Sequence, residues 1–157
     1  MMRASRRELQ HFDLCAAAGG AGRIASKIGV VVAYQIESVP PAKTLVLSSD
    51  STLAAKIMVS DLGPGIVYLD IGVGMHGEWL LRSKTELHQA MSDFLLICEG
   101  VFRGEAKEDI RRLPWGRLAI RGSIKTTHKV FRFRHYAVGF GADEGMRCYA
   151  PYPSSIS

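Results

Sequence analysis

The sequence predicts an α+β fold: an antiparallel sheet with one long helix (about 84–99) packed on a face and a second short helix (about 105–113), with a doubly wound α/β fold as the alternative. Three features point there. Lys125 to Tyr136 alternates cations and aromatics with no Gly, Pro, Asp or Glu, which reads as a strand with Phe131 and Phe133 on one face and Arg132 and Arg134 on the other. Lys84 to Glu99 reads as a helix, because Ser83 and Glu86 form a capping box and Leu87, Ala90, Met91, Phe94, Leu95 and Cys98 fall on one stripe ahead of Gly100. Several short segments rich in Val, Ile and Leu lie between Gly and Pro turn signals. The 157 residues, 47% hydrophobic and 22% charged, suffice for one core and exclude a wholly disordered chain.

Taken in chain order, Ser5 to Ala18 reads as a helix ended by Gly19 and Gly20. Ile28 to Ile36 suits a buried strand, and Val39-Pro40-Pro41 breaks it. Residues 1–42 therefore read as an N-terminal helix and strand arm, and 43–157 as a single α+β domain to which the arm can belong. Thr44 to Ser48 and Gly65 to Ile71 read as strands, the second after a Gly63-Pro64-Gly65 turn. Residues 51–62 fit either period, with strand favoured over helix. Glu105 to Leu113 reads as the short helix, acidic early, basic late and stopped by Pro114. Gly122-Ser123 reads as a type II′ hairpin turn, and a bulge near Arg134 is expected to turn Tyr136, Val138 and Phe140 inward.

The formal charge of +5 is unevenly spread. Thr44 to Gly100 holds Lys56, Arg82 and Lys84 against seven carboxylates, whereas Arg and Lys dominate from Val101 onward. Such asymmetry suits an acidic protein surface or another polyanion, and equally suits pairing between the two blocks. Cys15, Cys98 and Cys148 form no C-x-x-C pair, so reduced thiols and a cytoplasmic location are expected, with no zinc ribbon and no disulfide framework. Glu8, Gln10, His11 and Asp13 stand where a signal peptide needs an apolar run, and no window has the length of a membrane span. A soluble protein without a membrane partner is expected.

Chemistry-bearing patterns are sparse. The histidines, at 11, 76, 88, 128 and 135, show no metal-ligand spacing. Cys98 falls on the packed stripe of its helix and reads as a core residue, and no general base can be placed beside Cys148. Gly20 to Ala25 fits a loose dinucleotide pattern, but it follows a helix-prone run and precedes a strand, the wrong order for phosphate binding. Asp70-Ile-Gly72-Val-Gly74-Met-His-Gly77, after an apolar run, resembles the first motif of class I S-adenosylmethionine-dependent methyltransferases. That resemblance implies a cofactor-binding set of Asp70, Gly72, Gly74 and Glu99, and it requires Phe94 to Cys98 to be a strand.

The main reading has no catalytic residue, metal or cofactor, and centres on Arg117, Arg121, Lys125, Lys129, Arg132 and Arg134 as a cationic strip with Tyr136 beside it. The expected function is non-enzymatic binding of a macromolecule, first another protein, with nucleic acid as the alternative because a cationic sheet face suits phosphates. The order of strands and capped helix from Leu53 to Glu99 resembles that of bacterial immunity proteins, which neutralise a toxin by covering it. For a basic chain, that resemblance implies a target with an acidic patch.

Overall fold

The computed structural model of the chain describes residues 9–138 and 143–155, and the expected inward turn of Phe140 lies outside them. Two helices and two antiparallel sheets follow in the order α1 (Leu14–Ile28), β1 (Ala33–Val39), β2 (Ala42–Ser48), β3 (Ile57–Asp61), β4 (Ile66–Ile71), β5 (Met75–Leu80), α2 (Lys84–Phe102), β6 (Ala106–Arg112), β7 (Arg117–Lys125), β8 (Val130–Val138) and β9 (Gly145–Cys148). The first sheet is a meander, β1-β2-β3-β4-β5; the second runs β8-β7-β6-β9. The α+β class is as the sequence predicts, built with two sheets where one was expected. No described helix is long and apolar enough to cross a membrane.

The long helix is capped as its sequence requires, with Ser83 Oγ accepting from the Glu86 N–H at 3.1 Å. It runs on through Gly100, because Val101 and Phe102 extend its buried stripe. The second, shorter helix is α1, while residues 106–112 form strand β6. The charge order from 105 to 113 mimics a helix, but Ala106, Glu108 and Ile110 all face inward with the period of a strand.

Of the expected helix from Ser5 to Ala18, residues 5–8 lie outside the described ones; within them, helix α1 starts after the cap Asp13 and passes through Gly19 and Gly20 to end at Gly29, which adopts φ 86°. Gly20 is a contact point: a Cβ there would stand 2.7 Å from Leu95 Cδ2 on α2. The gain from close helix packing overrides the poor helix propensity of glycine. Ile28 ends this helix and does not start a strand, and Pro40-Pro41 forms the tight turn between β1 and β2. Of residues 51–62, Ile57–Asp61 form strand β3 after a turn at 52–53.

Gly122-Ser123 is no hairpin turn. Strand β7 continues through it, and Gly122 has no room for a side chain because Met75 of β5 fills the space. The chain reverses instead at Thr126 to Lys129, where Thr126 Oγ1 accepts from the N–H groups of His128 and Lys129. The β7–β8 register is one-to-one from Arg117↔Val138 to Lys125↔Val130, so the expected bulge near Arg134 is absent. Phe131, Phe133, His135 and Ala137 face inward, and Tyr136 and Val138 face solvent.

One core joins both helices to the inner faces of both sheets, from Leu45, Ile57 and Leu69 through Phe94 to Ile124 and Phe131. Ile110, Leu118 and Ile120 form a smaller, separate cluster with Ala137. Between the sheets lies Glu108, the one charged side chain among the described residues in the core, 1% exposed. Its Oε1 and Oε2 accept from the backbone N–H groups of Val73 (3.1 Å) and Gly74 (3.0 Å), and Oε1 also accepts from the Tyr149 hydroxyl. Arg147 Nη1 stands 3.9 Å away. A buried carboxylate is tolerable only when so surrounded by donors.

Glu108→Ala is expected to cost roughly 3 kcal/mol in urea denaturation, since it strands several buried donors at once, and Glu108→Gln about half of that. Burial, reinforced by Glu108, pushes the Tyr149 hydroxyl from its ordinary 10 up to about 12, and burial moves Tyr152 the same way. The folded state therefore holds these protons more tightly than the unfolded state. That contribution is whole below pH 10 and drains away as pH rises towards 12. Thermal melts across this interval should show a falling Tm, with a shallower slope for Tyr149→Phe.

Candidate binding face on the second sheet

Directly paired residues of an antiparallel ladder share a face, so register shows which cations stand together. Arg121 pairs with Arg134, Ser123 with Arg132, Ala119 with Tyr136 and Lys125 with Val130. These residues and Arg117 lie on the face opposite buried Leu118, Ile120 and Ile124. Five of the six expected cations, together with Tyr136, are thus brought onto one solvent-facing surface. Lys129 is not: it sits in the β7–β8 turn with Nζ 2.7 Å from Asp93 Oδ1 of α2 and 4.6 Å over the Phe131 ring.

Two further cations join the face from β6. Lys107 is paired with Ser123 and Arg111 with Ala119. They were hidden from sequence reasoning because this segment read as a helix. The only carboxylate on these strand positions is Asp109, opposite Arg121, and it is taken by Arg111 Nε at 3.0 Å. Among the described residues no carboxylate lies within ion-pair distance of Arg117, Arg121, Lys125, Arg132 or Arg134. Arg121 and Arg134 even stand directly opposite each other, a like-charge pairing that destabilises a sheet.

The small side chains of Ala119 and Ser123 leave shallow hollows on either side of Arg121. One, of about 210 Å³, is bounded by Lys107, Arg121, Ser123, Arg132 and Met146. The other, about 230 Å³, is bounded by Asp109, Arg111, Ala119, Arg121 and Tyr136. Tyr136, Val138 and Met146 are each about two-thirds exposed on the same face. Trp115 projects from the β6–β7 turn with φ 70° and is 96% exposed.

The residues of the methyltransferase-like motif have a different geometry from the one that resemblance requires. Asp70 is the penultimate residue of β4, and Gly72 to Gly74 turn the chain into the antiparallel strand β5, where a cofactor loop would lead into a helix. The N–H groups of Val73 and Gly74 are already bonded to Glu108. Phe94 to Cys98 is helical, and Glu99, on α2, faces Arg103 Nε at 3.5 Å and Thr127 Oγ1 at 3.4 Å.

Asp70 instead meets His76 across the hairpin, Oδ1 to Nδ1 at 2.8 Å, with the His135 ring 5.5 Å from that of His76. No three His, Cys, Asp or Glu side chains among the described residues are grouped to hold a metal. Cys98 is fully buried with its thiol pushed far up by burial, and Cys15 and Cys148 are exposed. Comparisons with protein-family models, curated proteins and solved structures found no match to this chain.

Alkylation of the folded protein followed by mass spectrometry should modify Cys15 and Cys148 and spare Cys98, which reacts only once denaturant opens the core.

Proposed function

We propose that the chain is a binding protein, not an enzyme, and that the outer face of its second sheet docks an acidic surface of another protein. The observation that carries this reading is the alignment of Lys107, Arg111, Arg117, Arg121, Lys125, Arg132 and Arg134 on one face, where the outward positions of β6, β7 and β8 hold one carboxylate, Asp109, already paired with Arg111. An unpaired cationic surface that keeps Arg121 opposite Arg134 costs stability, and an acidic partner offsets that repulsion. Inhibition of the partner by coverage, as an immunity protein does, is the form of this function that the order of elements favours.

A protein partner is preferred because exposed apolar groups, Tyr136, Val138 and Met146, are interspersed with the cations. Mixed aromatic, Met and Arg surfaces are typical of protein interfaces. A platform for single-stranded nucleic acid sets several aromatics among the cations, and here Phe131 and Phe133 turn to the core.

Fluorescence anisotropy with a poly-glutamate peptide and a single-stranded oligonucleotide of equal charge tests the assignment. Arg121→Glu combined with Arg134→Glu should weaken peptide binding by at least about tenfold and flatten its salt dependence. Lys129→Ala should leave it unchanged, since Lys129 is committed to Asp93. Peptide binding that survives the double charge reversal, or an oligonucleotide bound more tightly than the peptide, would overturn the reading.

A further inference from the structure

Three of the four sheet edges are blunted. Strand β5 lies against β8, β9 spans only Gly145–Cys148, and the outer edge of β8 carries Arg132 and Arg134. The fourth edge, β1, is left open among the described residues. It pairs on one side only, with β2, in a one-to-one register over all of Ala33–Val39, and every one of these residues is exposed. Natural edges are guarded by charges, above all Lys, by Pro, by bulges or by shortness, and within its length β1 has only Glu37.

The inner face of the first sheet also runs off this edge. Ile36 pairs with Leu45 and Tyr34 with Leu47, so both extend rows that are otherwise buried. Leu45 and Leu47 are 0% and 1% exposed, whereas Ile36 and Tyr34 are 41% and 64% exposed. The core thus stops one strand short of its own apolar face.

We infer that a second copy of this chain covers the edge, joining β1 to β1 antiparallel about a two-fold axis at Ile36 and making one continuous ten-stranded sheet from the two five-stranded ones. The strand is complementary to itself in the register that pairs all its residues. Ile36 meets Ile36, Tyr34 meets Ser38, Ala33 meets Val39, and Gln35 meets Glu37 twice. No like charges are opposed. Gln35 Nε2 already donates to Glu37 within the strand, and the same amide can serve the carboxylate of the second copy. A two-fold axis normal to the sheet keeps both Tyr34–Ile36 pairs on one side, where they form a single apolar strip. Strand β8, paired with itself in the same way, sets Arg134 against Arg134.

Sedimentation velocity of the full chain from about 1 μM to about 500 μM, a range suited to an interface of this modest size, is the test. The expected result is a reversible shift from a 17.2 kDa monomer to a closed dimer. Ile36→Lys should abolish the dimer by placing two ammonium groups at the axis. Gln35→Glu should weaken it on the order of tenfold through two like-charge pairs, and Gln35→Lys, opposite Glu37, should tighten it. Gln35 is exposed, so its two variants decide the matter even if Ile36→Lys fails to fold. The inference is overturned by a wild-type chain that stays monomeric throughout, by open-ended assembly, by a dimer indifferent to both Gln35 changes, or by an edge that pairs only with an extended segment of another protein.

Discussion

The carboxylate of Glu108 receives hydrogen bonds from the turn between β4 and β5 and from Tyr149, so a central strand of the second sheet is tied to a hairpin of the first across the core. Apolar packing is tolerant of small shifts, but these bonds are directional. They hold the two sheets at one relative position, with Gly122 closed against Met75 and β5 alongside β8. The cost of burying a charge is met by donors drawn from both sheets. A slip of either one would strip the carboxylate of the Val73 and Gly74 N–H groups.

Once the sheets are locked in this way, the second has one face sealed against α2 and the other open to water. Alternation along β7 and β8 then divides most of the chemistry: Phe131, Phe133, Ile120 and Ile124 go inward, and Arg121, Arg132 and Arg134 go outward. The cationic face is thus a consequence of register, and its weak point is internal, the repulsion between cross-strand arginines. Lys129 shows the contrast, since one residue beyond the strand the same kind of charge folds back to Asp93 and becomes structural.

The α+β class, the capped helix α2 and the division of faces along β8 were readable because each rests on a local period. What escaped had a tertiary cause. Gly20 and Gly122 look like punctuation and act as clearance for Leu95 and Met75, which no window of sequence contains. Strand β6 was disguised by the residue that matters most: with Glu108 in an inward position, Ala106-Lys-Glu-Asp-Ile-Arg-Arg112 shows no apolar alternation. Had that glutamate been read as buried, the period of two would have emerged, and Lys107 and Arg111 would have joined the cationic set. The Asp70–His76 pair was likewise invisible until the hairpin brought its members together.

The division of the core into two clusters carries a dynamic consequence. Ile110, Leu118 and Ile120 pack with Ala137 apart from the main body, beneath the end of the sheet that bears Arg111, Arg117 and Tyr136. A small cluster of this kind opens by sub-global fluctuation at a lower free energy than the whole molecule. Amide exchange would accordingly be faster there than around Ile124 and Phe131. One half of the cationic face is thus backed by the main core, and the other by a cluster that opens more readily.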